Sequence, residues 1–380
     1  MDFDPRWLLL ILPVAFALGW LASRLDLRQA KRDPREAPQA YFKGLNLLLN
    51  EQHDKAIDAF IEAVQLDPDT VDLHFALGSL FRRRGETERA VRVHQHLLHR
   101  GDLPELERAR AQHALAQDFF KAGLFDRAEA AYLALKGTAF EPEADLALLS
   151  LYERSRDWER AQATAECLEA RGIGSFASQR AHYLCEQALQ AEADGQRERA
   201  RQLLAQALTL APQHPRALLL RGQWLLRDGD AQGALTQFEQ LVQLAPESFN
   251  LAAADYARAA YQAGQSRRAL KTLEERYAQA PALALVLAQN LIEPEHQRER
   301  LAEHLRQQPG SLDGARRLLA LVNELPDAVA PQLKAALDRA AKPRTRHRCA
   351  ACGFESGHYF WQCPGCLSWD SFPPRPVEEL

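Results

Sequence analysis

The sequence predicts an all-α chain built as an array of antiparallel helix pairs. One membrane-spanning helix is expected before the array and a small metal-held β module after it. Three observations carry this reading: a 16-residue uncharged run near the start, an alanine recurring about every 34 residues, and four cysteines within an 18-residue window near the end. Composition sets the bounds. Of 380 residues, 47% are hydrophobic and 26% charged, which excludes a disordered chain and a multi-span membrane protein. The length exceeds what one core usually organises, so two or three units are expected. The net charge of −4 is unevenly spread. Residues 24–35 carry +3 (Arg24, Arg28, Lys31, Arg32, Arg35 against Asp26, Asp33) and residues 342–348 carry +4, two basic collars around an acidic middle.

The uncharged run is Trp7 to Ala22, WLLLILPVAFALGWLA. As a helix it covers about 24 Å, and extension back to Phe3 brings it to the roughly 30 Å of a hydrocarbon core. Trp7 and Trp20 lie near its ends, where amphipathic rings prefer to sit. A cleaved signal peptide would need a positive start, but two Asp and one Arg precede the run and the basic stretch follows it. The expectation is an uncleaved anchor over 1–23 and a basic juxtamembrane segment over 24–36. Because the basic side stays inside, everything from Ser23 onward is expected in the cytoplasm, where thiols remain reduced.

From residue 37 the sequence echoes itself. Ala56, Ala90, Ala128, Ala161, Ala200, Ala234 and Ala269 mark successive units of the repeat. Five positions before five of them stands a glycine: Gly85, Gly123, Gly195, Gly229, Gly264. Twelve positions before six stands a small residue: Gly44, Gly78, Ala116, Ala188, Gly222, Ala257. Pro68, Pro212, Pro246 and Pro281 close four units. Small residues let two helices approach closely, the glycine supplies a left-handed turn, and the proline ends the second helix. The fourth unit fits worst, with Leu149 and Arg156 where small residue and glycine are expected.

This pattern resembles the tetratricopeptide repeat over residues 37–281, about seven units, and implies a superhelical solenoid. Residues 282–341 continue as degenerate or capping helices, and 342–348 form a basic linker. No catalytic triad, phosphate-cradling loop or paired-carboxylate motif stands out, so no enzyme activity is expected. His94, His96 and His99 read as a solvated face, and Cys167 and Cys185 as small buried hydrophobes. By analogy with the repeat family, the concave face presents Arg82, Arg110, His113, Gln117, Lys121, Arg216, Gln223 and Arg258. That basic, polar row suits an acidic or polar peptide segment.

The strongest chemical signal is Cys349–Ala–Ala–Cys352–Gly353 and Cys363–Pro–Gly–Cys366. Two such knuckles can place four thiolates on one tetrahedron, with metal–sulfur distances of about 2.3 Å. A module of about 30 residues cannot fold on burial alone, so the metal must supply much of its folding free energy. Gly357–Trp361 between the knuckles are expected to form a short hairpin. The knuckles look like those of rubredoxin, which hold iron there, while the same ligands hold zinc in ribbons. The loop between the knuckles is shorter than in electron-carrying rubredoxins, which favours a structural ion, zinc or iron, over a redox role. Nucleic acid is not an expected partner of an acidic, tethered body.

Anchor, collar, repeats and the terminal CAACGF…WQCPGCLSW stretch, in this order, resemble the lipopolysaccharide assembly protein B family of Gram-negative inner membranes. The resemblance implies a non-enzymatic adaptor that brings the lipid A deacetylase to a membrane-bound AAA protease. Alternatives are a scaffold for several lipopolysaccharide enzymes and a rubredoxin-like electron carrier. From the parts of this chain, the ribbon, 349–380, is expected to be docked by its basic collar against the last helices.

Overall fold

The computed structural model describes residues 36–67, 69–321, 330–341 and 346–379. The expected anchor and most of its collar lie outside the described residues, as do Pro68, Lys342 and Arg344. Among the described residues no helix is long and apolar enough to cross a membrane.

Among the described residues, helices follow one another as seven pairs: α1 (Glu36–Leu49) and α2 (His53–Leu66), α3 (Val71–Arg84) and α4 (Thr87–His99), α5 (Glu105–Lys121) and α6 (Phe125–Leu133), α7 (Glu141–Ser155) and α8 (Trp158–Ala170), α9 (Ala177–Ala193) and α10 (Arg197–Leu210), α11 (Pro215–Arg227) and α12 (Ala231–Leu244), α13 (Ala253–Gln262) and α14 (Ser266–Gln279). Four more close the helical part: α15 (Leu283–Ile292), α16 (Gln297–Gln307), α17 (Leu312–Ala320) and α18 (Ala330–Ala341). The chain divides into two compact units, one ending at Leu151 and the other beginning at Tyr152.

The recurring residues do what their spacing requires. All seven central alanines are buried to 1% exposure or less. A Cβ on Gly44 would stand 2.9 Å from the Phe60 ring, and one on Gly222 would stand 2.5 Å from the Phe238 ring. These glycines therefore set how closely the paired helices approach. The turn glycines take left-handed φ values, as at Gly229 (87°), where the last carbonyls of the first helix are satisfied before the second begins. Glu51 and Arg156 occupy the same turn position in the first and fourth pairs and adopt φ of 58° without being glycine. Such a conformation costs an L-residue about 1–2 kcal/mol. The incoming helices are capped where the sequence allows: Asp157 accepts from the Arg160 N–H at 3.1 Å and Asp230 from the Gly233 N–H at 2.8 Å.

Two sequence expectations are corrected here. His94 is fully buried, not on a solvated face, and its Nδ1 meets the buried Asp118 carboxylate at 2.5 Å. The signal was present: four residues after the central alanine the chain has Phe60, His94, Tyr132 and Phe238, so position 94 is a core position facing Gly78. Cys167 is exposed on α8, and only Cys185 is a buried hydrophobe.

The close approach at the small residues is testable. Gly222→Ala is expected to destabilise the second unit by about 1–3 kcal/mol through overpacking against Phe238. Urea unfolding followed by circular dichroism measures it.

Candidate metal centre and its seat on the repeats

Each knuckle is the tip of a small hairpin. Strand β1 (His347–Arg348) pairs antiparallel with β2 (Glu355–Ser356), and Arg348 and Glu355 form a cross-strand ion pair at 2.6 Å. The second knuckle lies between Gln362 and Trp369, which face each other across an isolated bridge. The hairpins thus enclose the knuckles, and the expected hairpin over Gly357–Trp361 is instead the connection between them. Backbone hydrogen bonds fix both turns: Cys349 N–H to Phe354 O at 2.9 Å, and Cys363 N–H to Ser368 O at 2.9 Å. Gly353, with φ of 78°, closes the first turn.

The four sulfurs of Cys349, Cys352, Cys363 and Cys366 lie within 4.8 Å of one another. Cys349 and Cys366 are 3.8 Å apart and Cys352 and Cys363 are 3.7 Å apart. A tetrahedron with metal–sulfur bonds of about 2.3 Å has edges of about 3.8 Å, so the residues fit one tetrathiolate-bound ion. Backbone donors face the sulfurs, as the Gly365 N–H does Cys363 Sγ at 3.3 Å. Burial opposes ionisation of Cys349, but the Ser371 hydroxyl and nearby N–H groups outweigh it and hold the thiol below its usual range. The Ser368 hydroxyl lowers Cys366 in the same way. Cys363 is pushed up, first by burial. Four such groups ionise together only with a cation among them, and that neutralisation is what the ion supplies.

Beneath the sulfurs, Cys349, Cys363 and Phe372 form a small buried core with Tyr359 and Phe360 beside it. This core is too small to stand alone, and the module rests on the helices of the second unit. The Trp369 ring stacks on His182 of α9 at 4.4 Å between centroids. Its Nε1–H donates to the Glu153 carboxylate at 2.9 Å, which also accepts the Tyr183 hydroxyl at 2.5 Å. The fully buried His182 donates from Nε2 to Asp370 at 2.9 Å. Trp361 packs against the apolar core built from α11 to α15. The tail is fastened too: Glu379 accepts the Leu283 N–H at 2.9 Å, and Glu378 accepts the Leu312 N–H at 3.2 Å. Both carboxylates sit at helix N-termini, where free N–H groups and the helix dipole favour negative charge. The expected docking by the basic collar rests on residues 342–348, of which 342–345 lie outside the described residues. The described contacts of the module with the helices include aromatic stacking, the Trp369–Glu153 hydrogen bond, a histidine–carboxylate pair and two tail glutamates.

His182 escaped the sequence reading. It stands one repeat before Arg216, in the same register, but lacks the positive charge that drew attention to that row. The arginines of the row prove to be internally neutralised. Arg82 pairs with Asp118 at 2.8 Å and Arg110 with Asp72 at 2.9 Å. Arg216 is buried and pairs with Glu186 at 2.8 Å, while Arg258 pairs with Asp255 at 2.8 Å. Gln223 donates to the same Asp255 at 2.9 Å. His113 is half-buried and stacks on Phe140 at 5.4 Å, Gln117 is half-buried, and Lys121 is exposed. A guanidinium that leaves water needs an acid, and the neighbouring helices provide one.

The seam carries a pH dependence. Burial, opposed by Asp370, holds His182 below the ordinary imidazole value. Burial and the adjoining His182 lower His214 to about 3. His214 must stay neutral, because its Nδ1 accepts the Ala217 N–H at 3.3 Å and caps α11. An unfolded histidine protonates near about 6.5, so this stability is complete above that pH and is lost as pH falls toward the folded values. Burial alone would raise Asp370, but its bond to His182 outweighs this and leaves the carboxyl depressed, so it weakens the fold only in stronger acid. Between pH 6.5 and 4.5 the unfolding midpoint of the second unit is expected to drop. His214→Asn, which keeps a capping acceptor, should flatten that drop by up to about 1.4 kcal/mol per pH unit.

Residues 347–374 match the family described as a rubredoxin metal binding domain. Residues 43–105 and 185–249 match the tetratricopeptide repeat. Lipopolysaccharide assembly protein B of Escherichia coli (strain K12) is 29% identical over 381 residues, covering 97% of this chain and 97% of its own. Its Haemophilus influenzae namesake is 28% identical over 408 residues, covering 98% of both. Among solved structures, a tetratricopeptide repeat protein from Parabacteroides merdae is similar at a TM-score of 0.33 and 15% identity, over 80% of this chain and 99% of that one. The chain therefore resembles the lipopolysaccharide assembly protein B family over essentially its whole length, and it closes with a rubredoxin-type metal-binding domain.

Proposed function

We propose that the chain is a non-enzymatic adaptor of the inner membrane that regulates lipopolysaccharide synthesis. It brings the lipid A deacetylase to a membrane-bound AAA protease and so limits the amount of deacetylase. The observation that carries this reading is the seat of the ribbon. Trp369 and Asp370 lock a metal-dependent module onto α9, so the helical repeats and the ribbon present one continuous recognition surface in the second unit. The name of the full-length relatives supports the pathway, and helical repeats support a protein-binding role over a catalytic one.

The membrane enters through residues 1–23. Confined to the bilayer surface, an adaptor meets a membrane protease at a high effective concentration, and weak contacts then suffice. In each unit the polar row proposed as client-facing has little unpaired charge, so it would recognise shape and hydrogen bonds more than net charge.

Serine at Cys349 or Cys363 removes one of the four ligands and should unfold the ribbon. The expected result is accumulation of the deacetylase, read by immunoblot after synthesis is blocked. Normal turnover in cells carrying the variant as their sole copy would contradict a working role for the ribbon. A scaffold for several biosynthetic enzymes would instead retain those enzymes in pull-downs with unchanged deacetylase turnover.

A further inference from the structure

The turn between α7 and α8 combines two unusual features. Arg156 holds a left-handed φ of 58° where five of the other turns use glycine. Strain alone marks no site, since Glu51 shares it. At Arg156, however, it coincides with a cavity of about 460 Å³, bounded by this turn, the second half of α9 and the start of α10.

The lining chemistry is specific. Asp157 is engaged by Arg160 at 2.6 Å, Glu159 by Arg199 at 3.2 Å, and Asp194 by the Gln190 amide at 3.1 Å. Among the described residues the Arg156 guanidinium has no such partner. Gln187 gives its N–H to the Trp158 carbonyl at 3.2 Å, as Gln190 gives its own to Asp194, which leaves two amide oxygens as acceptors. Trp158 supplies an aromatic wall, held in place by Tyr183 stacked at 5.9 Å.

We propose that this cavity is a docking site for a short acidic segment of a partner polypeptide. Arg156 receives a side-chain carboxylate, the Gln187 and Gln190 oxygens accept backbone N–H groups, and an apolar side chain packs on Trp158. A phosphate ligand fits less well, because it offers only acceptors and multiple charge to a rim that already holds three carboxylates. A polypeptide offers one carboxylate together with N–H donors. Glycine at this turn would be unstrained but could not supply the cation.

Arg156→Gly separates the two roles, because stability and binding should move in opposite directions. The full chain in nanodiscs is titrated with a fluorescein-labelled, amidated Gln-Leu-Glu-Gly peptide and its Gln-Leu-Gln-Gly counterpart, read by anisotropy. The acidic peptide is expected to bind at least about tenfold more tightly than the amide peptide, and Arg156→Gly to remove that difference. The thermal midpoint of the variant should hold or rise. Equal affinity for the two peptides, unchanged binding by the variant, or no binding of either peptide would overturn the proposal. The readout is peptide binding alone, so it stands apart from deacetylase turnover.

Discussion

A module of about 30 residues has too little apolar interior to fold by itself, and this constraint shapes the carboxyl-terminal half of the chain. Two supports meet it. Four thiolates at tetrahedral spacing hold the knuckles together, and Trp369, Asp370 and the tail glutamates hold the module to the helices. Neither support is local. The hairpin that carries Cys363 and Cys366 is the one that presents Trp369 and Asp370, so the ion that sets the hairpin also sets the face that His182 meets. Conversely, Glu378 and Glu379 satisfy the N-termini of α17 and α15, so these helices depend on the tail of the ribbon.

The repeats follow a different logic. Their geometry comes from close contact at small residues, and their polar residues are paired across helices. Asp118 illustrates this, fully buried and shared by Arg82 and His94. An acidic chain can therefore carry many arginines without exposing a strongly basic face. Where pairing stops among the described residues, as at Arg156, an exposed charge is left to solvent or to a partner.

Much of this was legible in the sequence, for physical reasons. Seven alanines and five glycines report directly on helix crossings and left-handed turns, because those backbone positions tolerate few side chains. The mismatch at Arg156 was legible for the same reason, and the structure places it in the same left-handed turn. Four cysteines in two knuckles announced their tetrahedron. The seam was not legible: His182 and Trp369 lie far apart along the chain, and neither has a local pattern that reports its partner. His94 was misread because its neighbours His96 and His99 suggested a polar face, although its distance from Ala90 put it in the core. The paired state of Arg82, Arg110 and Arg216 depends on acids from a neighbouring repeat, and that of Arg258 on an acid one turn away, which a charge count does not see.

The central claim is that one metal ion holds both the ribbon and its seat on the repeats. Hydrogen exchange on the full chain, before and after metal is stripped with a chelator under reducing conditions, tests it most directly. The account predicts lost protection in the ribbon together with the start of α15 and of α17, where tail carboxylates cap Leu283 and Leu312, and around His182 on α9. The first unit should keep its protection. Loss confined to the ribbon, with those helix starts still protected, would contradict it.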